Sequence, residues 1–341
     1  MDTEATPDLQ VIYSPIRHEF QLLTRFLQEE FCPVEPFIFQ ILQHIAKFRG
    51  KQIRPALLFL ARRLAVDGAD GRGHENLDAA VKIGSVIELI HTATLVHDDI
   101  LDDAKLRRNV ETVHRHWGER AAVLIGDFIY SRAFHLSTQV PGMSGILSDT
   151  THTICEGELL QIGNRFRSDL DEVTYMEIIR KKTAILYAVS CELGGVLGGL
   201  EAALCKRLHE FGLQLGMAFQ IVDDCLDYSG KEAVAGKSLG TDLHQGKVTL
   251  PLIYLMENLS GQEAVWLRET LHMPLDPESE ARIHQLVQHH GVLAEAFSRA
   301  ETFVQAGKKI LSETFALNDS TDGGVRESLD LVCDYMTRRQ R

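Results

Sequence analysis

Apolar residues recur at intervals of three and four along most of this sequence, whereas stretches that alternate apolar and polar residues are scarce. This spacing is typical of helices that bury one face. Nine prolines are spread over 341 residues, so few positions are unable to continue a helix. The pattern predicts helix almost throughout the chain, with no convincing strand pair.

The predicted helices are separated by short breaks rich in glycine or proline, and none of the breaks resembles a flexible linker between domains. Central helices that are apolar on every side must be surrounded by other helices. We therefore expect residues 1–341 to form one all-α domain. The predicted helices cover about 16–30, 36–48, 54–65, 77–102, 121–137, 151–164, 173–194, 203–227, 248–256 and 278–317, the last with a break near Gly291.

Composition narrows the class of partner and the cellular compartment. The formal net charge is -13 and no long run of Lys or Arg occurs, which argues against nucleic acid or an anionic membrane as the main partner. The six cysteines are scattered without a Cys-x-x-Cys pair, as expected for reduced thiols. The N-terminus lacks a secretory pattern, and the most apolar span, 183–200, contains Glu192 and four glycines. We expect a soluble cytoplasmic protein without a transmembrane segment.

A cluster of aspartates, Asp98-Asp99-Ile100-Leu101-Asp102-Asp103, directly follows the strongly apolar segment 86–97. On a helix, Asp98 and Asp102 share one face about 6 Å apart, with Asp99 and Asp103 beside them. Two such charges repel by ~3 kcal/mol at an effective dielectric of ~20, and burial adds to the cost of ionisation. The cluster therefore predicts a compensating cation.

A second cluster, Asp223-Asp224-Cys225-Leu226-Asp227, ends another apolar helix and again places its first and last carboxylates on one face. Magnesium prefers carboxylate oxygens and completes its coordination with water and substrate phosphates. Neither cluster has His or Cys placed for zinc. A solvated helix end would explain either cluster alone, but two clusters that each follow a buried-looking helix favour a site holding a diphosphate between metal ions.

Basic and polar residues accompany the two clusters. Each alone is explained as an ordinary surface or satisfied residue, so the argument rests on their grouping. A second diphosphate would need protein cations, and free amides at a helix start also favour anions. The grouped positions are Lys51, Arg54, His91, Arg107, Arg108, Lys182, Thr183, Gln220, Lys237 and Lys247.

From about residue 50 to residue 251 the chain resembles the trans-isoprenyl (polyprenyl) diphosphate synthase family. Gly-Lys-x-x-Arg-Pro, two Asp-Asp-x-x-Asp motifs, Arg-Arg, Lys-Thr and a glycine-lysine loop occur in the family's order. Arg49 replaces the first of a frequent Gly-Gly pair, and Asp103 is additional. The resemblance implies an all-α bundle around a deep central cavity, a homodimer, and two or three Mg²⁺ ions, with Mn²⁺ as an alternative.

The resemblance also implies an activity, in which isopentenyl diphosphate is joined to an allylic diphosphate such as geranyl or farnesyl diphosphate by ionisation, condensation and elimination. By this resemblance, Asp98, Asp102 and Asp223 bind the metal ions, with support from Asp99, Asp103, Asp224 and Asp227. The residues that bind isopentenyl diphosphate are Lys51, Arg54, His91 and Arg108. Those that bind the allylic diphosphate are Arg107, Lys182, Thr183, Gln220, Lys237 and Lys247. We expect Asp98, Asp102, Lys182, Asp223 and Lys237 to be catalytic.

Product length is expected to depend on Ala93 and Thr94, one turn before Asp98. The growing chain is expected to extend into an apolar tunnel away from the metal ions. In the family, bulky aromatic residues at these positions block that tunnel, so the small residues here predict products of C20 or longer. Residues 229–246 and the basic C-terminus (Arg338, Arg339, Arg341) are expected to close the site.

Three alternative functions are weighed against the synthase. A class I terpene cyclase shares the first aspartate motif but lacks the second, and a non-catalytic partner subunit commonly loses one of the two, whereas both are intact here. A helical scaffold protein would need neither motif.

Overall fold

The computed structural model defines residues 8–31, 34–48, 50–67, 76–229, 241–272, 274–315 and 324–338. Its helices are α1 (Leu9–Ile12), α2 (Arg17–Glu29), α3 (Pro36–Ile45), α4 (Ile53–Asp67), α5 (Leu77–Leu101), α6 (Val113–Trp117), α7 (Glu119–Thr138), α8 (Met143–Gly163), α9 (Glu172–Ile179), α10 (Ile185–Leu197), α11 (Ala202–Asp227), α12 (Thr241–His244), α13 (Leu250–Asn258), α14 (Gly261–Thr270), α15 (Pro277–His289), α16 (Val292–Thr314) and α17 (Val325–Arg338). Short 3₁₀ turns, Ser14–Ile16 and Ala46–Phe48, precede α2 and follow α3. The predicted all-α fold is confirmed.

Two helices, α5 and α10, form the interior of the bundle. Most of their residues are buried or half-buried, because α5 packs against α4 and α7, while α10 packs against α4 and α11. Buried apolar side chains form one cluster that extends from Ile12 in α1 to Met336 in α17. Burial among other helices explains why both sequences are strongly apolar. The extent of the domain, 1–341, stays a prediction.

α5 is the one described helix whose length and composition would allow it to cross a membrane, with a mean hydropathy of 1.4. Within the bundle, 61% of that apolar window is buried. A helix enclosed by protein needs the same apolar composition as one enclosed by lipid. The high hydropathy of α5 is consistent with its place as a central helix of the bundle. The span 183–200 does not form a helix of the length and hydropathy needed to cross a membrane.

The predicted absence of strand pairs is wrong at one place. β1 (Leu106–Arg107) pairs antiparallel with β2 (Val110–Glu111), with Leu106 opposite Glu111. Arg108 and Asn109 form the turn at φ 50° and 63°. A two-residue turn with both φ values positive matches the twist of a hairpin. Strands of two residues are too short to give a periodic signal, so the pattern did not predict them.

The helices differ from the prediction in several places. The predicted helix 173–194 is α9 and α10 joined by a π-helical turn, Arg180–Ala184. α8 begins at Met143 rather than near residue 151, and α1, α6, α12, α14 and α17 were not predicted. The buried residues of α17 (Leu329, Val332, Cys333 and Met336) nevertheless have helical spacing. The break near Gly291 is confirmed, where a left-handed glycine at φ 66° separates α15 from α16.

Candidate active site

A cavity of about 1750 Å³ lies between the C-terminal ends of α5 and α11. The two aspartate clusters, far apart in sequence, both reach it because each lies at the end of its helix. The carboxylates that line it are Glu88, Asp98, Asp102, Asp103, Glu158, Asp223, Asp224, Asp227 and Asp242. The structure thus brings together two groups of negative charge in one enclosed space.

Asp98 and Asp102 lie one turn apart, as their spacing predicts. Burial raises the pKa of Asp98, and the nearby Glu158 and Asp102 carboxylates raise it further against the opposing effect of Lys182. Asp102 ends α5 and contacts two cations. Its Oδ2 accepts from Lys247 Nζ at 3.0 Å, and its Oδ1 lies 3.4 Å from Arg165 Nη2. A cation bound beside Asp98 and Asp102 would lower the free-energy cost of ionising both carboxyl groups.

Asp99 points away from the cavity, and its residue is only 1% exposed. Arg107 Nε donates to its two carboxylate oxygens at 2.8 and 3.0 Å. Neighbouring residues on a helix are about 100° apart, which turns Asp99 towards the β1–β2 hairpin. Asp99 therefore anchors the hairpin that carries Arg107 and Arg108.

Asp103 is at the rim, with a side chain 78% exposed, and has φ 46° just beyond the end of α5. His114 Nε2 and Arg115 Nη2 lie 3.6 and 3.9 Å from its Oδ1. Helical geometry has ended at this residue, so its side chain no longer follows the face of Asp98 and Asp102. Asp103 lines the cavity from its solvent edge.

In the second cluster, as in the first, some carboxylates bond to neighbouring elements while another remains more accessible. Asp224 accepts from the Tyr175 hydroxyl at 2.6 Å and from Gln220 Nε2 at 2.7 Å. Burial, with the Asp242 carboxylate as the next cause, raises the pKa of Asp224 to about 8. Asp227 accepts the backbone N–H of Asp242 at 3.1 Å. Asp224 and Asp227 thus fix neighbouring elements, and Asp223 is the more accessible carboxylate of the three.

The π-helical turn between α9 and α10 carries Lys182 and Thr183 to the cavity wall. Lys182 Nζ donates to Gln161 Oε1 at 2.6 Å and pairs with the Glu158 carboxylate. Thr183 Oγ1 donates to Gln220 Oε1 at 2.8 Å. Single π turns inside helices are frequent at functional sites, because the extra residue redirects side chains. The sequence analysis did not predict Glu158 and Gln161 as partners of Lys182, because a sequence does not show which residues of two helices lie opposite each other.

Three further cations lack a carboxylate partner within the described residues: Lys51, Arg54 and Arg108. Lys51 Nζ lies 5.0 Å from the centroid of the Tyr335 ring, and the Arg54 guanidinium lies 4.5 Å from that of Tyr187. Arg108 donates to the backbone carbonyl of Phe48. Each is thus held by groups that carry no charge, while the nearby Glu88 carboxylate acts electrostatically on Arg108.

His91 lies among these cations and is affected by their charge. Burial, followed by Arg54, Arg107 and Arg108, lowers the pKa of His91 well below its usual value. His91 is consequently neutral at physiological pH and offers one N–H donor. The arginines form a region of positive charge that one anion would stabilise.

Gly50 makes room for Arg108. A β-carbon at Gly50 would collide with the Arg108 guanidinium, so this close approach requires glycine. The preceding residue, Arg49, lies outside the described residues. The predicted Gly-Lys-x-x-Arg-Pro motif thus has a steric reason for its glycine.

Not every predicted residue reaches the cavity. Ala93 is fully buried and does not line it, whereas Thr94 does. Arg338 lies 4.0 Å from Asp334 and is not part of the cavity wall. Lys237, residues 230–240 of the predicted closing loop, Arg339 and Arg341 lie outside the described residues. The predicted functions of these last residues stay predictions.

Beyond the carboxylates the cavity wall is apolar towards α2, α3, α7 and α8. Residues on this part of the wall are Leu27, Phe31, Phe39, Leu42, Leu95, Ile129, Tyr130, Ile154 and Leu159. A charged region that opens into an apolar one fits a ligand with a diphosphate head and a hydrocarbon tail. Two acidic helix ends over such a cavity define the architecture of an all-α isoprenoid synthase.

Comparison with known proteins supports this class. The family model described as polyprenyl synthetase matches residues 35–290. The octaprenyl diphosphate synthase of Haemophilus influenzae is 36% identical over 273 residues, 79% of this chain and 80% of that protein. The heptaprenyl diphosphate synthase component 2 of Bacillus subtilis is 30% identical over 335 residues, 97% of this chain and 91% of that protein.

A solved structure agrees with these sequence matches. The polyprenyl synthase from Caulobacter crescentus, crystallised with calcium and isoprenyl diphosphate, superposes with a TM-score of 0.89 and 31% identity, and the match covers 99% of this chain and 100% of that one. The chain belongs to the polyprenyl synthetase family. It is a prenyltransferase of the trans-prenyl diphosphate synthase type.

Proposed function

We propose that this enzyme condenses isopentenyl diphosphate with geranyl or farnesyl diphosphate, releasing pyrophosphate and a polyprenyl diphosphate of C20 or longer. The division of charge in the cavity carries the proposal. On one side, Arg107, Lys182 and Lys247 are paired with carboxylates. On the other, Lys51 and Arg54 lie over aromatic rings and form no ion pair with a described residue, although the Glu88 carboxylate also lines the cavity.

Magnesium fits the acidic side. Within the described ranges no three His, Cys, Asp or Glu side chains converge as a preformed metal site. Mg²⁺ commonly takes one or two carboxylates and completes its shell with water and substrate phosphate oxygens. Asp98, Asp102 and Asp223 supply such oxygens, so we propose that two or three ions bind together with the allylic diphosphate, and that Mn²⁺ substitutes for them.

The two diphosphates then occupy different parts of the cavity. Lys182, Thr183, Gln220 and Lys247 lie beside the acidic ends, where they would hold the allylic diphosphate together with Arg107. Lys51, Arg54, Arg108 and neutral His91 lie where a metal-free diphosphate would meet cations that form no ion pair with a described residue. Holding both substrates in one cavity replaces an encounter between two molecules with a reaction inside one complex.

In this arrangement the chain assists ionisation rather than nucleophilic attack. The metal supplies Lewis-acid stabilisation of the charge that builds on the departing diphosphate. Lys182 and Arg107 stabilise the same charge through their own positive ends. The double bond of isopentenyl diphosphate is the nucleophile, and the released pyrophosphate takes the proton. The apolar wall excludes water, which would otherwise trap the carbocation.

The apolar part of the cavity supports a long product. Thr94 lines the wall beside Asp98 and does not fill it with an aromatic ring, and the aromatic residues Phe31, Phe39 and Tyr130 lie on other elements of the wall. Ala93 is fully buried and contributes no surface, so we assign the upper limit of this tunnel to Thr94 alone.

We also propose a homodimer in which α7 and α8 face a second copy. These helices expose Val123 (43%), Leu124 (68%) and Leu160 (36%), none of which lines the cavity. Apolar groups concentrated on two adjacent helices are typical of an interface that is covered in the assembly. We place the dimer in the cytoplasm, a proposal supported by the partial burial of α5, the one described helix long and apolar enough to span a membrane.

One experiment tests the activity and its main alternatives. Purified protein with Mg²⁺ is incubated with labelled isopentenyl diphosphate and dimethylallyl, geranyl or farnesyl diphosphate, and the products are sized after dephosphorylation. We expect products of C20 or longer from at least one primer. Cyclised hydrocarbon from the allylic substrate alone would show a terpene cyclase.

A heteromeric enzyme is the second candidate function, favoured by the similarity to a protein named as component 2 of a synthase. In that case the purified chain would elongate no primer by itself. The acidic clusters and Lys51, Arg54 and Arg108 are all present, which supports catalysis by this chain rather than a non-catalytic role. Sedimentation of the active species decides whether it contains one kind of chain.

A further inference from the structure

Lys51 is held by tyrosines from both ends of the chain. The Tyr13 hydroxyl, between α1 and α2, donates to the Lys51 backbone carbonyl at 2.6 Å. The Tyr13 ring stacks on Phe20 with centroids 4.8 Å apart, which fixes its direction. The Lys51 ammonium lies 5.0 Å from the centroid of Tyr335, a residue of α17 that is 4% exposed and outside the cavity wall.

An aromatic partner has a consequence that a carboxylate would not have. Lys182 and Lys247 are paired with Glu158 and Asp102, so part of their charge is already compensated. The negative face of an aromatic ring attracts an ammonium but carries no net charge. Lys51 is thereby kept in one place with its full charge available to a diphosphate that arrives without metal ions.

The ring of Tyr335, rather than its hydroxyl, makes this contact. The hydroxyl is buried and has no hydrogen-bond partner within the described part of the chain. A buried polar group without a partner destabilises the fold and adds nothing to the attraction of a cation to the ring face. Removal of the hydroxyl and removal of the ring should therefore have different effects.

We infer that Tyr335 is a positioning residue for isopentenyl diphosphate, because its ring holds the Lys51 ammonium at the metal-free side of the cavity and so makes α17 part of the substrate site. The inference rests on the proposed function, in particular on the assignment of Lys51 to isopentenyl diphosphate. It also gives the C-terminal helix a function that does not depend on the residues after 338.

The test compares Tyr335→Leu, which removes the ring, with Tyr335→Phe, which keeps it. Cation–π contacts at exposed sites are worth about 0.5–1 kcal/mol, so KM for isopentenyl diphosphate should rise about two- to fivefold in the Leu variant. KM for the allylic substrate and kcat should stay within about twofold of the parent enzyme. The Phe variant should retain the parent KM for both substrates.

Leu329→Ala is the matched structural control, because Leu329 is a fully buried residue on the same helix. It should lower the melting temperature without a selective change in either KM. If Tyr335→Leu does not fold, Tyr335→Met replaces it as the variant without a ring. Equal increases in both KM values, or a Phe variant as weak as the Leu variant, would overturn the inference.

Lys51→Ala separates this inference from the proposed function. If Lys51→Ala leaves KM for isopentenyl diphosphate unchanged, the assignment of Lys51 fails, and the positioning role fails with it. If Lys51→Ala raises that KM, Tyr335→Leu should add nothing to it in the double variant, since Tyr335 acts through Lys51. Additive effects of the two substitutions would show that Tyr335 acts on the substrate by another route.

Discussion

Gly157 on α8 is the residue that lets the π-helical turn approach the cavity. A β-carbon there would lie 2.8 Å from the Lys182 Cα, and the backbone atoms beside it are also close. Carbon atoms in contact are ordinarily about 3.5–4.0 Å apart, so Gly157→Ala requires the turn and α8 to separate by roughly 0.7–1.2 Å. Backbone cannot yield by changing a rotamer, so Lys182 and Thr183 must move with the turn.

We expect Gly157→Ala to lower kcat about ten- to a hundredfold, because a displacement of ~1 Å at a catalytic group can cost about 10²-fold. Overpacking should also lower the free energy of unfolding by about 1–3 kcal/mol. Steady-state assays with labelled isopentenyl diphosphate, run far below the melting temperature of the variant, measure kcat, and thermal unfolding measures stability.

Gly145→Ala is the matched control on the same helix, since no atom lies within 4 Å of the position of its β-carbon. It should leave kcat unchanged and raise stability by about 0.5–1 kcal/mol, as alanine is the better helix former. If Gly157→Ala keeps kcat within about twofold of the parent, the position of the π turn does not limit catalysis and the reasoning is refuted.

Three further predictions concern length, substrate binding and metal. Thr94→Phe should shorten the longest product in a chromatographic assay, and an unchanged product would show that Thr94 does not line the tunnel that holds the growing chain. Ala93→Phe should instead lower the melting temperature, because it overpacks the core. Gly50→Ala should displace Arg108 and raise KM for isopentenyl diphosphate at least about tenfold, with the allylic KM as internal control. Chelation with EDTA should abolish elongation and added Mg²⁺ should restore it, whereas activity that persists would exclude a required divalent ion.

The acidic part of the site was predictable because it depends on local geometry. Helical spacing alone places Asp98 and Asp102 on one face, and an apolar helix before each cluster indicates that the carboxylates end in a buried place. The same reasoning could not assign Asp99, because it depends on a hairpin too short to show a pattern. The same spacing does not show that Ala93 is buried in the core while Thr94 lines the wall, since one residue of helical rotation separates the two directions.

The cation partners required the tertiary structure. Glu158 and Gln161 on α8 meet Lys182 only because the chain folds α8 against the π turn. Tyr335 contacts Lys51 although almost the whole chain lies between them. Periodicity predicts which face of a helix is buried, but not which side chains of another helix it meets, so the un-neutralised cations were recognisable only in the fold.

The central claim is that carboxylates at the ends of α5 and α11 hold divalent ions around one allylic diphosphate. The most direct test is anomalous diffraction from crystals grown with Mn²⁺ and a non-reactive allylic diphosphate analogue. We predict Mn²⁺ peaks between the diphosphate and Asp98, Asp102 and Asp223, with Lys51 and Arg54 outside the metal shell. Peaks at only one helix end, or a diphosphate bound at Lys51 and Arg54 with no metal near Asp98 and Asp223, would contradict the account.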